Sequence, residues 1–164
     1  QALAFLLTSR GIPQLYYGTE VLMNGSKKVS DGYIRLDMPG GFEGDSVSVF
    51  TPEGRTPIQN EAWNYLSRLL QWRRGVANDV IAKGSLKHFM PQNCLYVYER
   101  RLGDKQVVVL LNGTDSDLTT TMERTVEILP YGTKMKDIIT GQPVVIAEEM
   151  TFSPRQTMIL TNFD

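Results

Sequence analysis

The stretch GIPQLYYGTE, from Gly11 to Glu20, decides the fold class of the first half of this chain. Within it, the residues from Ile12 to Tyr17 form a short, mostly apolar run that Gly18 closes. Such a run is typical of a strand buried on both faces, as in a parallel sheet, and Pro13 is tolerated near the start of a strand. We therefore predict a buried parallel strand at this position.

The residues before this stretch predict the end of a helix. The run QALAFLLTSR, Gln1 to Arg10, is largely apolar, Arg10 suits the negative end of a helix dipole, and Gly11 suits a left-handed stop. Neither an N-cap nor a charged leader region precedes the run. We interpret the sequence as a piece cut from a longer protein, with any targeting signal upstream.

A long glycine-rich segment without sustained periodicity, Glu20 to Arg55, follows the predicted strand and is too long for a simple connector, which favours a functional loop. The clearest helix comes next. Thr56 suits the N-cap, Pro57 the first helical position, and Gln59 completes a capping box. One apolar stripe supports this helix and consists of Ala62, Trp63, Leu66, Leu69 and Leu70. The run RRG at 73–75 marks its end.

From about Asn78 onward the pattern predicts only β-structure. A hairpin is expected around Gly103-Asp104, because apolar residues alternate on both sides of this turn signal. The predicted strands are Leu86 to Met90, Cys94 to Arg100, Gln106 to Asn112, Arg124 to Ile128, Lys136 to Thr140, Val144 to Ala147 and Gln156 to Thr161. Strands at this spacing predict an antiparallel sandwich.

The composition is that of a globular protein. The 164 residues are 41% hydrophobic and 21% charged with a net charge of -1, which argues against disorder. No basic stripe is present, so a nucleic-acid partner is not expected, and no apolar run is long enough to predict a membrane span. A lone Cys94 excludes an internal disulfide and a multi-cysteine metal cluster.

The decapeptide GIPQLYYGTE resembles the last barrel strand of glycoside hydrolase family thirteen, the α-amylase family, in which G-x-P-x-x-Y-Y-G-x-E recurs. The segments DGYIRLDMPGG, Asp31 to Gly41, and Gly54 to Arg73 are similar to the following loop and helix of neopullulanases and cyclomaltodextrinases. The β-rich tail is similar to their C-terminal sandwich.

This resemblance implies an α+β fragment. Residues 1–76 would be the last βα unit of a (β/α)8 barrel, and residues 77–164 an all-β antiparallel C-terminal sandwich domain. A whole barrel needs about 250 residues, so only its end fits in this chain.

The resemblance further implies a parent enzyme that hydrolyses α-glucosidic bonds of starch-derived oligosaccharides by a retaining mechanism. Its catalytic carboxylates, and the calcium ligands of many members, would precede Gln1, so we assign no catalytic residue, metal or cofactor to this chain and expect it to be inactive alone. A bacterial periplasmic location is favoured over a cytoplasmic one on the resemblance only.

Substrate contacts are expected from the long loop, since barrel enzymes place their chemistry on loops after the strands. Arg35, Asp37 and Glu20 are candidates because guanidinium and carboxylate groups make directional hydrogen bonds to sugar hydroxyls. Tyr17 and Phe42 are candidates for contact with a sugar ring. The alternative is that the three charged residues pair or cap turns to hold the loop, and that Phe42 anchors it.

Two further readings of the β-rich half stay open: a carbohydrate-binding module, or a structural domain without ligand. The structural reading is favoured, because Tyr96 and Tyr98 share one strand face and are predicted in the core. A structural role is also expected for His88, the only histidine, because it falls in an alternating strand. We also expect the chain alone to self-associate, because an unpaired barrel strand and unpartnered apolar helix faces recruit other chains.

Overall fold

The computed structural model describes residues 1–164. Its contacts form two compact units, one made of Gln1–Ile12 with Leu69–Asp164 and the other of Pro13–Arg68. These divisions differ from the expected boundary at residue 76, because the first helix packs with the β-structure. The assignment of residues 1–76 to a barrel stays a prediction.

Most of the first unit is antiparallel β-structure. Eight strands form a six-stranded sheet in the order β1-β2-β3-β8-β5-β6 and a two-stranded sheet, β4-β7. The strands are β1 (Ser85–His88), β2 (Leu95–Leu102), β3 (Lys105–Asn112), β4 (Leu118–Thr121), β5 (Lys134–Asp137), β6 (Pro143–Val145), β7 (Glu149–Phe152) and β8 (Thr157–Thr161). The predicted antiparallel tail is confirmed.

The β2–β3 hairpin turns at Gly103-Asp104, as predicted, with Leu102 opposite Lys105. Alternate residues of both strands face one continuous apolar core, which also takes Phe152 from the two-stranded sheet. Its fully enclosed members include Val108, Leu110, Leu129 and Leu160. The two sheets therefore pack as layers of a sandwich.

The other face of the large sheet is covered by helices α1 (Ala2–Thr8) and α3 (Asn78–Lys83). Tyr98 lies on this face, 1% exposed, with its ring edge-on to Phe5 at a centroid distance of 5.8 Å. Tyr96 packs against the same ring at 6.2 Å. The two tyrosines thus lie in packed surroundings, as predicted, but against α1 rather than inside the sandwich.

Arg100 joins these helices to the sheet. It is 1% exposed, and its guanidinium donates to the carbonyl oxygens of Gly84 at 2.8 Å, Ser85 at 3.2 Å and Thr8 at 3.3 Å. The last carbonyls of a helix lack partners within the helix, and a guanidinium has enough N–H groups to satisfy several of them. This contact stabilises α1 on the sheet.

The second unit contains three short 3₁₀ turns, Thr19–Val21, Gly32–Ile34 and Pro52–Gly54, and most of helix α2 (Pro57–Arg74). The predicted capping box is confirmed: the Thr56 amide donates to Gln59 Oε1 at 2.9 Å, and the Gln59 amide donates to Thr56 Oγ1 at 3.4 Å. No helix of the chain is long and apolar enough to span a membrane.

Several expected elements differ from the structure. Residues 12–16 have no strand pairing and Ile12 is 98% exposed, because a parallel strand needs parallel neighbours and every strand pair of this chain is antiparallel. The predicted strand Arg124 to Ile128 is wrong, since a 3₁₀ turn, Glu123–Thr125, occupies this region. Three elements were not predicted: α3, β4 and β7.

Several predicted boundaries also shift, most of all that of β5, which covers Lys134–Asp137 rather than Lys136 to Thr140. Helix α1 ends at Thr8, with Ser9 already extended, whereas the sequence suggested Arg10. The β1 strand ends at His88 rather than Met90, and the burial pattern shows all four of its residues exposed. His88 is therefore a strand residue, as expected, on an exposed edge.

Candidate functional site

Tyr17 joins the predicted decapeptide to the loop that follows it. Its hydroxyl donates to the carbonyl oxygen of Leu36 at 3.0 Å, and its ring lies 4.6 Å from the ring of Tyr16 between centroids. The side chain is still 44% exposed. The hydrogen bond places Tyr17 beside the loop residues on either side of Leu36.

Arg35 and Asp37 are these flanking residues, and both side chains are exposed. Desolvation raises the pKa of Tyr17, with further increases from Tyr16 and the Asp37 carboxylate and an opposing effect of the Arg35 guanidinium. The two charges are thus near enough to influence the Tyr17 hydroxyl, which keeps its proton at neutral pH. The structure brings together three of the five predicted substrate residues.

Neither Arg35 nor Asp37 is engaged by a side-chain hydrogen bond or an ion pair. Only the backbone of Arg35 is held, because its amide donates to the Gly32 carbonyl oxygen at 3.0 Å after the short turn. The expected alternative, in which Arg35 pairs with a carboxylate to hold the loop, is not observed. Both groups are available to a ligand.

A small pocket lies beside this cluster. Its lining is formed by the end of the decapeptide and the loop, and comprises Tyr16, Tyr17, Thr19, Met23, Asn24, Gly25, Ile34 and Leu36. Its lining combines apolar and polar groups, as small-molecule sites do.

Glu20 and Phe42 do not line this pocket. Glu20 lies in the turn Thr19–Val21, half-buried, next to the fully buried Val21. Phe42 lies on a separate loop and its side chain is 63% exposed. The five candidates therefore form one cluster of three and two separate residues.

The Phe42 loop is held by a carboxylate that sequence reasoning missed. Asp45 Oδ2 accepts from the amide of Gly40 at 2.6 Å and from the amide of Phe42 at 3.1 Å. The Pro39-Gly40 dipeptide and the Gly44-Asp45 pair are turn signals in the sequence, and they could have suggested this loop.

Arg55 is a second residue that the sequence did not single out. It is 8% exposed, and its guanidinium donates to the Val49 carbonyl oxygen and to Asn60 Oδ1, both at 2.9 Å. The guanidinium carbon also lies 4.2 Å from the centre of the Trp63 ring. Arg55 therefore ties the end of the long loop to helix α2.

No group of three or more His, Cys, Asp or Glu side chains is arranged to hold a metal ion. The expected calcium ligands and catalytic carboxylates concern residues before Gln1, and their placement stays a prediction.

Residues 86–161 match the family described as the Cyclo-malto-dextrinase C-terminal domain. The chain is 31% identical over 159 residues to a cyclomaltodextrin glucanotransferase of Thermoanaerobacterium thermosulfurigenes, a match that covers 94% of this chain and 19% of that protein. It is 37% identical over 112 residues to an α-amylase of Niallia circulans, covering 68% of this chain and 17% of that protein.

A solved structure shares the fold. The α-amylase of Geobacillus thermoleovorans, complexed with acarbose, matches 98% of this chain and 32% of that chain with a TM-score of 0.69 at 20% identity. The chain thus spans about a fifth or less of the two curated relatives and about a third of the solved structure.

Proposed function

We propose, from the premise that this chain belongs to the α-amylase family as the C-terminal part of such a protein, that it contributes substrate contacts to an α-glucan-acting enzyme. This enzyme would act on the α-glucosidic bonds of starch-derived oligosaccharides. The names of the relatives, a cyclomaltodextrin glucanotransferase and an α-amylase, support this substrate class.

The observation that carries the proposal is that Arg35 and Asp37, which lie near Tyr17, have no side-chain hydrogen bond or ion pair. Charged donors and acceptors that have no partner within the protein are suited to bind hydroxyl groups, because hydrogen bonds to ionised groups are stronger than neutral ones. Arg35 would donate to sugar oxygens and Asp37 would accept from sugar hydroxyls. The Tyr17 ring would border the sugar, while its hydroxyl stays bonded to Leu36.

The bond-breaking chemistry belongs to other residues of the parent enzyme. A retaining mechanism uses two carboxyl groups about 5 Å apart, one as the nucleophile and one as the general acid. We assign both to the upstream part of the parent, together with any calcium site. Residues 13–68 would then act in binding and orienting the glucan.

Substitution of Arg35 in the full enzyme tests this proposal. Arg35→Ala should lower kcat/KM for maltooligosaccharides about tenfold, a loss of about 1.4 kcal/mol in transition-state binding. The melting temperature should change little, because the side chain makes no hydrogen bond or ion pair that would be lost. Steady-state kinetics and thermal unfolding of the same preparation give both values.

Lys28→Ala is the matched control, because Lys28 is another exposed cation of the same segment. It should leave kcat/KM within about twofold of the parent value. A fall in melting temperature with unchanged kinetics for Arg35→Ala would show that Arg35 only supports the loop.

The β-rich half has a structural role in this proposal. The small sheet packs on one face of its large sheet, and α1 and α3 pack on the other. Sugar binding by this half is the alternative, and it predicts retained maltooligosaccharide affinity in the Arg35→Ala chain by calorimetry.

A further inference from the structure

We propose that Asp45 is a positioning residue that holds the Phe42 ring outward as a stacking surface for a glucose unit. This inference rests on the proposed function, and it concerns a residue without a role in the chemistry. Both residues lie in the loop between Pro39 and Val49.

A single carboxylate oxygen organises the front of this loop. Asp45 Oδ2 accepts from the amides of Gly40 and Phe42 at 2.6 and 3.1 Å, and the Asp45 amide donates back to the Phe42 carbonyl oxygen at 3.3 Å. The backbone of Phe42 is thus held on both its donor and its acceptor side. Amide bonds to a charged carboxylate are stronger than those to a neutral acceptor.

Two consecutive turns set the path of the chain. Gly41 donates to the Met38 carbonyl oxygen at 3.1 Å, with Pro39 and Gly40 as the central residues. Gly44 precedes Asp45 in the next turn, and Gly40 and Gly44 both have a φ of +93°. Positive φ at the third position of a turn favours glycine, so the sequence MPGGFEGD is matched to this conformation.

The base of the loop is closed as well. The Val49 amide donates to the Pro39 carbonyl oxygen at 3.1 Å, and the Val49 carbonyl oxygen accepts from the buried Arg55. Asp45 therefore completes a loop whose ends are already anchored. Its own contribution is local, confined to the residues around Phe42.

Phe42 carries a largely exposed aromatic side chain on this loop. The side chain is 63% exposed and makes no aromatic or cation–π contact. An exposed ring on a fixed backbone can bury the apolar C–H face of a sugar without ordering a flexible loop, and the saved ordering entropy favours binding.

The test is a double-mutant cycle in the full enzyme with maltooligosaccharides as substrate. Phe42→Ala and Asp45→Ala should each lower kcat/KM about five- to tenfold, mainly by raising KM. The double variant should be no worse than Phe42→Ala, because Asp45 acts through that ring. Asp45→Asn, which keeps an acceptor oxygen, should restore activity to within about twofold of the parent.

Glu43→Gln is the matched control, since Glu43 is an exposed carboxylate of the same turn that makes no hydrogen bond or ion pair. It should leave kcat/KM unchanged. Amide hydrogen exchange of Gly40 and Phe42 should accelerate in Asp45→Ala but not in Glu43→Gln. If Asp45→Ala lowers expression of folded enzyme, Asp45→Asn and the exchange rates still test the contact.

The outcomes separate the two proposals. A parent enzyme without α-glucan turnover would overturn the proposed function. Normal kinetics of Asp45→Ala, or an equal further loss in the Phe42→Ala background, would overturn only the positioning role. Normal kinetics of Phe42→Ala would overturn it too, because Phe42 would then not touch the substrate.

Discussion

At the residue scale, Tyr98 is a buried ionisable group whose protonation is linked to folding. Its hydroxyl lies 2.5 Å from Thr8 Oγ1, which itself donates to the Ala4 carbonyl oxygen at 2.6 Å. Burial raises the pKa of Tyr98 to about 12, although the hydrogen bond with Thr8 acts in the opposite direction. The neutral hydroxyl is the form that the folded protein favours.

This shift predicts a loss of stability in alkali. The folded pKa lies above the value of about 10 for an unfolded tyrosine, so the stabilisation is fully present below pH 10 and is lost as the pH rises toward 12. The melting temperature should fall over this window, and Tyr98→Phe should fall less steeply. Parallel slopes for both proteins would show that other groups cause the alkaline loss.

At the scale of elements, the turns of the Phe42 loop restrict which residue can stand at each of their glycine positions. A Cβ at Gly40 would lie 2.5 Å from the Cα of Ser48, whereas a Cβ at Gly44 would meet nothing within 4 Å. Gly41 lacks a positive φ, and its Cβ would lie 3.2 Å from the Met38 carbonyl oxygen. Three nearby glycines therefore differ in what restricts them.

A series of alanine substitutions should reproduce this difference. Gly40→Ala combines strain with a backbone clash and should destabilise by about 2–3 kcal/mol, Gly44→Ala by about 1 kcal/mol through strain alone, and Gly41→Ala least. Urea unfolding of the three variants measures the order. Equal values would mean that the loop relaxes away from Ser48.

At the scale of the whole molecule, exposed apolar side chains favour association. They include Phe5 at 45% exposure, Ile12 at 98% and Ile58 at 63%. Each buried Å² of such surface contributes about 25 cal/mol, so a modest contact between copies is favourable. We expect the chain alone to form dimers or larger species.

Light scattering at several concentrations measures this association. Ile12→Ser with Ile58→Ser should shift the chain toward the monomer, and Val126→Ser, which changes a 40% exposed residue of the β-rich half, should not. If the unsubstituted chain stays monomeric at high concentration, the prediction is wrong. Deleting residues 1–76 is a poor control, because it removes α1 and uncovers Tyr98.

The sequence by itself determined the local elements and the family. The Thr56–Gln59 capping box and the Gly103-Asp104 hairpin each depend on residues a few positions apart, so their signals are complete within the local sequence. The motif GIPQLYYGTE identified the family for the same reason. Arg35 and Asp37 followed from the long loop after this motif, and their role in substrate binding stays a prediction.

Only the tertiary structure decided how distant residues meet. The apolar run after Gly11 is not a strand here, because strand formation requires neighbouring strands and not only apolar residues. The buried guanidinium groups of Arg100 and Arg55 donate to backbone carbonyl oxygens, and that of Arg55 also lies over the Trp63 ring. No local sequence pattern reveals these contacts. Asp137, 2% exposed, accepts from the amide of Ile159 in β8 at 3.2 Å, across 22 positions. Burial of such charged groups depends on donors and acceptors brought together by folding, and a sequence pattern cannot contain that information.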